Sequence, residues 1–175
     1  DEIWPFVEVT PFQLYLRVLH ELFQITEEEK VLTPSSITSG KYSDLEYQID
    51  AVKLGLEKLD KYDGLIIADV VGLGKTYISA LLAQQLVKNN HILILCPPIL
   101  KEYWEDTFHI DFKVGCKVES IGKIDKIDHD KYDVIFIDEA HRFRNEDTET
   151  WKELYENICF GKKVILITAT AINNK

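Results

Sequence analysis

Cysteine is scarce in this chain, with three in 175 residues. Cys96, Cys116 and Cys159 show no C-x-x-C spacing, and each lies in or beside an apolar stretch. This pattern argues against a disulfide framework and for buried free thiols in a reducing compartment. The five histidines lack metal-binding spacing such as H-E-x-x-H, so no zinc is expected. No apolar run approaches the roughly 18 residues that a membrane span needs. The first residues, with Asp1, Glu2 and Glu8, do not resemble a signal peptide. Internal repeats and low-complexity tracts are absent. Positive charge is in the minority, since 20 Lys and Arg against 30 Asp and Glu leave a net charge of −10. A surface that grips DNA over a whole face relies on many cations to neutralise phosphates, so any nucleic-acid contact has to be local. The expectation is a soluble, cytoplasmic protein with no membrane partner.

With 46% hydrophobic residues, the chain can bury one core, so a single domain with an appendage is expected. Thr10-Pro11-Phe12-Gln13 reads as a helix start with a capping box, and Phe12, Tyr15, Leu16, Leu19, Leu22 and Phe23 give that helix a stripe to bury. Residues 33–42 lose periodicity and read as a linker. Ser43-Asp44-Leu45-Glu46 reads as a second capping box, opening a helix to about Asp60 with an apolar face at Leu45, Ile49, Val52, Leu56 and Leu59. Strand-like runs follow at Leu65–Ala68, Ile92–Cys96, Val134–Ile137 and Val164–Ile167, with a weaker one near Val114–Ile121. Helical patterns separate them at about 75–89, 98–108 and 148–158. Short β-branched runs alternating with helices describe strands covered on both faces, hence an α/β fold with a parallel sheet. The division predicted is a helical appendage and linker over 1–42 and one α/β domain over 43–175.

The chemistry concentrates at two strand ends. Leu65–Ala68 runs into Asp69-Val70-Val71-Gly72-Leu73-Gly74-Lys75-Thr76. Glycines let successive N–H groups curl inward, the helix opening at Lys75 adds its positive N-terminal end, and the lysine supplies a mobile charge for outer phosphates. A nucleoside triphosphate is the natural guest, touching Gly72, Leu73, Gly74, Lys75 and Thr76, with the Thr76 hydroxyl placed for Mg²⁺. The Walker A pattern has glycine six residues before the lysine, where this chain has Asp69. The second strand end, Val134-Ile135-Phe136-Ile137-Asp138-Glu139, carries adjacent carboxylates where open α/β sheets present ligand sites. Asp138 is placed to hold Mg²⁺, directly or through water, and Glu139 to polarise an attacking water. Alternatively, the acidic pair simply ends a strand and faces solvent.

Gly72-Leu73-Gly74-Lys75-Thr76, Ile92-Leu93-Ile94-Leu95-Cys96-Pro97-Pro98 with Trp104 beyond, Asp138-Glu139-Ala140-His141-Arg142, and Leu166-Ile167-Thr168-Ala169-Thr170 stand in the order of motifs I, Ia, II and III of the Swi/Snf-type ATPases of helicase superfamily two. Residues 44–174 resemble that family, which commonly has aspartate at the position of Asp69. The resemblance implies a RecA-like P-loop sheet flanked by helices on both faces. It also puts the strand ending at Ile167 between the one before the glycine loop and the one before Asp138.

By the same resemblance Gln48 reads adenine, for which an amide that both donates and accepts is suited; the residues alone equally allow an exposed glutamine. Thr168 and Thr170 form a coupling segment, although Ala171 replaces the family's usual proline. His141 bridges the second and third of these motifs, or fills an ordinary hydrogen-bonded role. Pro97, Pro98 and Lys101 contact the phosphates of a tracked DNA strand, while the prolines also suit a strand end and helix start. Trp104 is assigned to the core. Arg142 and Arg144 either pair with carboxylates or face the cleft.

The family works with ATP and Mg²⁺ on double-stranded DNA and needs a second RecA-like lobe that donates an arginine finger. Without it the fragment is expected to be nearly inactive. Some prokaryotic members carry a phospholipase-D-like nuclease module upstream. Two other readings stay open: a superfamily-two RNA helicase lobe, against which the Gly-Leu-Gly-Lys-Thr loop counts, and a non-hydrolysing nucleotide-dependent scaffold, against which intact Lys75, Thr76, Asp138 and Glu139 count.

Overall fold

The apolar runs of the sequence become strands in a computed structural model, which describes residues 32–68, 74–143 and 148–169. The expected helix over residues 10–23 and positions Asp69, Gly72, Leu73, Arg144 and Thr170 lie outside the described residues. Five strands, β1 (Gly64–Ala68), β2 (Ile92–Cys96), β3 (Cys116–Ser120), β4 (Val134–Ile137) and β5 (Lys163–Thr168), form one sheet in the order β1-β5-β4-β2-β3. Every pairing is parallel, with Gly64 opposite Val164, Val134 opposite Lys163 and Ile92 opposite both Val134 and Cys116. The strand order puts β5 between β1 and β4, the arrangement that the resemblance implied.

Residues of β2 and β4 are buried at every position, which is why their sequences show no polar alternation. One face of the sheet packs Ile92, Ile94, Phe136, Ile165 and Ile167 against α2 (Glu46–Tyr62), α3 (Lys75–Leu86) and α4 (Lys101–Glu105). Helix α4 runs on through wider turns at Asp106–Asp111, burying Phe108. The opposite face packs Leu93, Leu95, Ile135 and Ile137 beneath Leu154 and Ile158, carried by α5 (Glu149–Lys152) and its continuation to Cys159. Each such side chain taken out of water contributes roughly 1.5–3 kcal/mol, so the two layers hold the strand tips in fixed positions. Helix α2 crosses β1 closely at Gly55, where an added Cβ would stand 3.1 Å from Leu65 Cδ2.

Two local expectations fail. Helix α2 begins at Glu46 with Leu45 as an N-cap that offers no side-chain hydrogen bond, so Ser43-Asp44-Leu45-Glu46 is not a capping box. Asp44 is drawn elsewhere, accepting the Ser35 N–H at 2.8 Å and the Ser35 hydroxyl at 2.7 Å. The supposed linker is also folded. It contains the single-turn helix α1 (Pro34–Ile37), entered through a capping box between Thr33 and Ser36, and Ile37 is buried in the main core. The sequence of 33–42 looked aperiodic because one helical turn is too short to show a period.

Candidate functional site

The C-terminal tips of the strands converge on the start of α3. Gly74 precedes that helix with φ +80° and, having no side chain, places no capping group over its first N–H groups. An anion can therefore approach the positive end of the helix dipole directly. Gly74 is dictated twice, since its backbone is left-handed and an added Cβ would lie 2.7 Å from Gln48 Nε2. Gln48 is buried at 5% exposure on α2, donates to the Tyr47 hydroxyl at 3.2 Å and thus stands directly against the phosphate-loop glycine. Beside it opens a cavity of about 240 Å³, lined mainly by apolar and aromatic groups that include Tyr42, Tyr47, Tyr77, Phe112 and Pro34.

β4 delivers Asp138, whose N–H donates to Leu95 O on β2 at 2.8 Å. Its carboxylate accepts the Glu139 N–H through Oδ1 at 2.9 Å and the Trp104 indole N–H through Oδ2 at 3.0 Å. At 9% exposure, burial pushes the Asp138 carboxyl above its ordinary value, and the Trp104 and Glu139 N–H donors and the charge of Lys75 partly offset that penalty. The field of Lys75 thus reaches Asp138, although the two come from opposite ends of the domain sequence. Trp104, assigned to the core, is indeed buried against Phe108 at a ring separation of 5.2 Å, but it also holds the carboxylate. Its indole N–H was the only hint of this, because a buried indole N–H needs a partner.

Glu139 follows in a left-handed conformation, φ +54°, unusual for a residue with a Cβ. Its Oε2 lies 3.0 Å from His141 Nδ1, and that same nitrogen lies 3.5 Å from Thr168 Oγ1 at the end of β5. His141 accordingly spans the acidic turn and the Thr168 strand tip. Thr76, half-buried on α3, has the Tyr103 phenol within hydrogen-bonding reach, a neighbour that sequence reasoning missed.

The residues assigned to DNA fare differently. Pro97 is buried and Pro98 is exposed. Lys101 Nζ is 3.1 Å from Glu119 and 3.9 Å from Glu105, and Glu119 also draws Lys117 at 3.8 Å and Lys123 at 3.9 Å. A backbone hydrogen bond from Ser120, with Lys101 and Lys123, holds the Glu119 carboxyl below its usual range. The thiols of Cys96 and Cys116 are pushed up to about 12, and that of Cys159 to about 11, by burial, so they stay protonated at neutral pH.

Among the described residues no group of three or more His, Cys, Asp or Glu converges as a metal cage. The buried Asp138 carboxylate does suit Mg²⁺, which keeps most of its shell for water and phosphate oxygens. The residues therefore fit a magnesium nucleotide.

A parallel sheet with an uncapped glycine–lysine–threonine helix start at one strand tip and an Asp-Glu turn at another is the architecture of a RecA-like ATPase lobe. Residues 41–115 match the family model described as type III restriction enzyme, res subunit. The chain is 27% identical over 180 residues to an uncharacterised ATP-dependent helicase, YqhH, of Bacillus subtilis (strain 168), covering 90% of this chain and 31% of that protein. It is 25% identical over 147 residues to the SWI/SNF-related matrix-associated actin-dependent regulator of chromatin subfamily A-like protein 1 of Xenopus laevis, covering 71% of this chain and 15% of that protein. Among solved structures, the Sulfolobus solfataricus SWI2/SNF2 ATPase core in complex with dsDNA superimposes with a TM-score of 0.68 at 21% identity, over 83% of this chain and 35% of that one. The chain is thus similar to ATP-dependent helicases, shares the fold of the SWI2/SNF2 ATPase core, and spans about a third or less of the length of these relatives.

Proposed function

We propose that this lobe binds ATP with Mg²⁺ at the strand tips and that the full-length protein, with a second RecA-like lobe, hydrolyses ATP to move along double-stranded DNA. The observation that carries the reading is Asp138, a buried carboxylate held by the Trp104 indole at the tip of β4, in a parallel sheet whose β1 leads to the uncapped helix start at Gly74 and Lys75. Two exposed carboxylates would suit a solvated strand end; one buried and indole-held carboxylate suits a magnesium phosphate.

The motifs and the described geometry support the following roles. The backbone at Gly72, Leu73 and Gly74 and the Lys75 ammonium receive the β- and γ-phosphates. Thr76 and Asp138 hold Mg²⁺, which when bound neutralises charge on the transferring phosphoryl group. Glu139 orients the attacking water, and its left-handed backbone with the His141 contact sets the direction of its carboxylate. His141, Thr168 and Thr170 pass the state of that carboxylate to the second lobe. The aromatic cavity takes the adenine, with Gln48 donating and accepting at its edge. Pro97, Pro98 and Lys101 face the DNA track, where a phosphate competes with Glu119 for Lys101. An arginine finger is worth about 10³–10⁵ in rate in related systems, so the lobe alone binds nucleotide and turns it over hardly at all.

ATPase assays of the full-length protein with duplex DNA, single-stranded DNA and RNA test the reading. Stimulation by duplex DNA is expected, and stimulation by RNA alone rejects it in favour of an RNA helicase. Lys75→Ala should abolish nucleotide binding; Glu139→Gln should bind ATP and stall turnover. Unchanged turnover in the latter removes the role assigned to Glu139.

A further inference from the structure

One wall of the aromatic cavity is built by a segment outside the α/β layers. Pro34, Tyr42 and Ser43 line it from the strap of residues 32–45. The Tyr42 ring stacks on Phe112 at 5.7 Å and 10° and meets Tyr77 at 4.8 Å. The strap has its own internal bonds, with the Tyr42 N–H donating to Thr38 Oγ1 at 3.1 Å and the Thr38 hydroxyl donating to Pro34 O at 2.8 Å. Its polar tie to the rest of the domain converges on one side chain. Asp111, at the end of the α4 continuation, accepts from Lys41 Nζ through Oδ1 at 2.5 Å and from the Tyr42 hydroxyl through Oδ2 at 2.6 Å. The Asp111 side chain is 13% exposed, so both oxygens are spent on the strap in a site largely shielded from water. Its carboxyl is accordingly held below the ordinary value, chiefly by Lys41.

We infer that Asp111 is a positioning residue for nucleobase recognition: by gripping Lys41 and Tyr42 it fixes the strap as the outer wall of the cavity beside Gln48. The inference rests on the reading of that cavity as the base site. Asp111 is far along the chain from Tyr42, 69 residues, and belongs to none of the nucleotide motifs. Without its carboxylate the Tyr42 hydroxyl loses its bond to Asp111, and the wall keeps only apolar contacts, the packing of Ile37 and Pro34 and the Tyr42 ring against Phe112 and Tyr77. Among the described residues the hydrogen bonds of Asp111 go to Lys41 and Tyr42 of the strap, so the effect separates by chemistry: contacts to the base weaken while contacts to the phosphates persist.

The test is titration calorimetry of the 175-residue chain with Mg-ATP and with magnesium tripolyphosphate, which keeps the phosphates and omits the base and sugar. In Asp111→Ala the ATP affinity should fall by on the order of tenfold, the loss of charge-assisted hydrogen bonds, while tripolyphosphate binds as in the parent chain. Asp111→Asn, which retains an acceptor for Tyr42, should recover part of the loss. Tyr42→Phe keeps the ring and removes the tie, so it should show a smaller loss confined to ATP even if Asp111→Ala does not fold. ATP affinity unchanged in Tyr42→Phe and Asp111→Asn overturns the proposal, as does an equal loss for both ligands. A parent chain that prefers ATP no more than tripolyphosphate overturns the base-site reading, and the proposal with it.

Discussion

Replacing Trp104 with Phe separates the packing of this residue from its bond to Asp138. The indole fills a site of 1% exposure against Phe108 and donates to Asp138 Oδ2 at 3.0 Å. Phenylalanine keeps most of the ring contact but leaves a small void, which costs about 1 kcal/mol. It also removes a hydrogen bond to a buried charge, which costs about 1.5–3 kcal/mol because the carboxylate remains out of water. The expected sum at neutral pH is about 2–4 kcal/mol, measured by urea unfolding followed through far-UV circular dichroism rather than indole fluorescence. In an Asp138→Ala background the second component has no partner to lose, so the cost of Trp104→Phe should drop by about 1.5–3 kcal/mol. Additivity of the two substitutions within about 0.5 kcal/mol refutes the assignment of Trp104 as a holder of the carboxylate and returns it to the core alone.

Asp138→Asn should be more stable than the parent at pH 7. Burial raises the Asp138 carboxyl above the ordinary carboxylate value, so the folded state favours the protonated acid. That preference is harmless well below pH 4 and destabilises the folded state as pH rises through the folded value. The advantage of Asn in thermal melts should therefore appear at neutral pH and vanish in acid; an advantage independent of pH contradicts it. Gly74→Ala should cost about 1–2 kcal/mol from its left-handed backbone and, because the new Cβ would stand 2.7 Å from Gln48 Nε2 and push it aside, also weaken ATP binding in calorimetry. Glu139→Gly should exceed Glu139→Ala in stability by about 1 kcal/mol, because both lose the carboxylate and only glycine relieves φ +54°. Equal melting of that pair would mean that the turn carries no strain.

The strands and the nucleotide motifs were legible because each imposes a short-range pattern: β2 is apolar at every position, and the Gly74-Lys75-Thr76 turn can serve few other ends. The order of β5 between β1 and β4 came from resemblance and not from any residue of β5 itself. What escaped the sequence depends on contacts between distant positions. Asp44 looked like part of a capping box until Ser35 claimed it, and residues 33–42 looked like a linker until Asp111 gathered Lys41 and Tyr42. Nothing in the neighbourhood of Lys101 announces its pairing with Glu119, 18 residues away. The Trp104–Asp138 bond is of the same kind, joining residues 34 apart through a buried indole. The helical patterns at 98–108 and 148–158 gave no sign that α4 and α5 run on through wider turns, since apolar spacing tolerates either geometry.

The position of β5 has a consequence for biogenesis. A ribosome emits β1, β2, β3 and β4 first, but β1 can join the others only through β5, which pairs with β1 on one side and β4 on the other. The half that carries Lys75 and the half that carries Asp138 thus stay unzipped, their apolar faces open to chaperones and to one another, until residues 163–168 have cleared the exit tunnel.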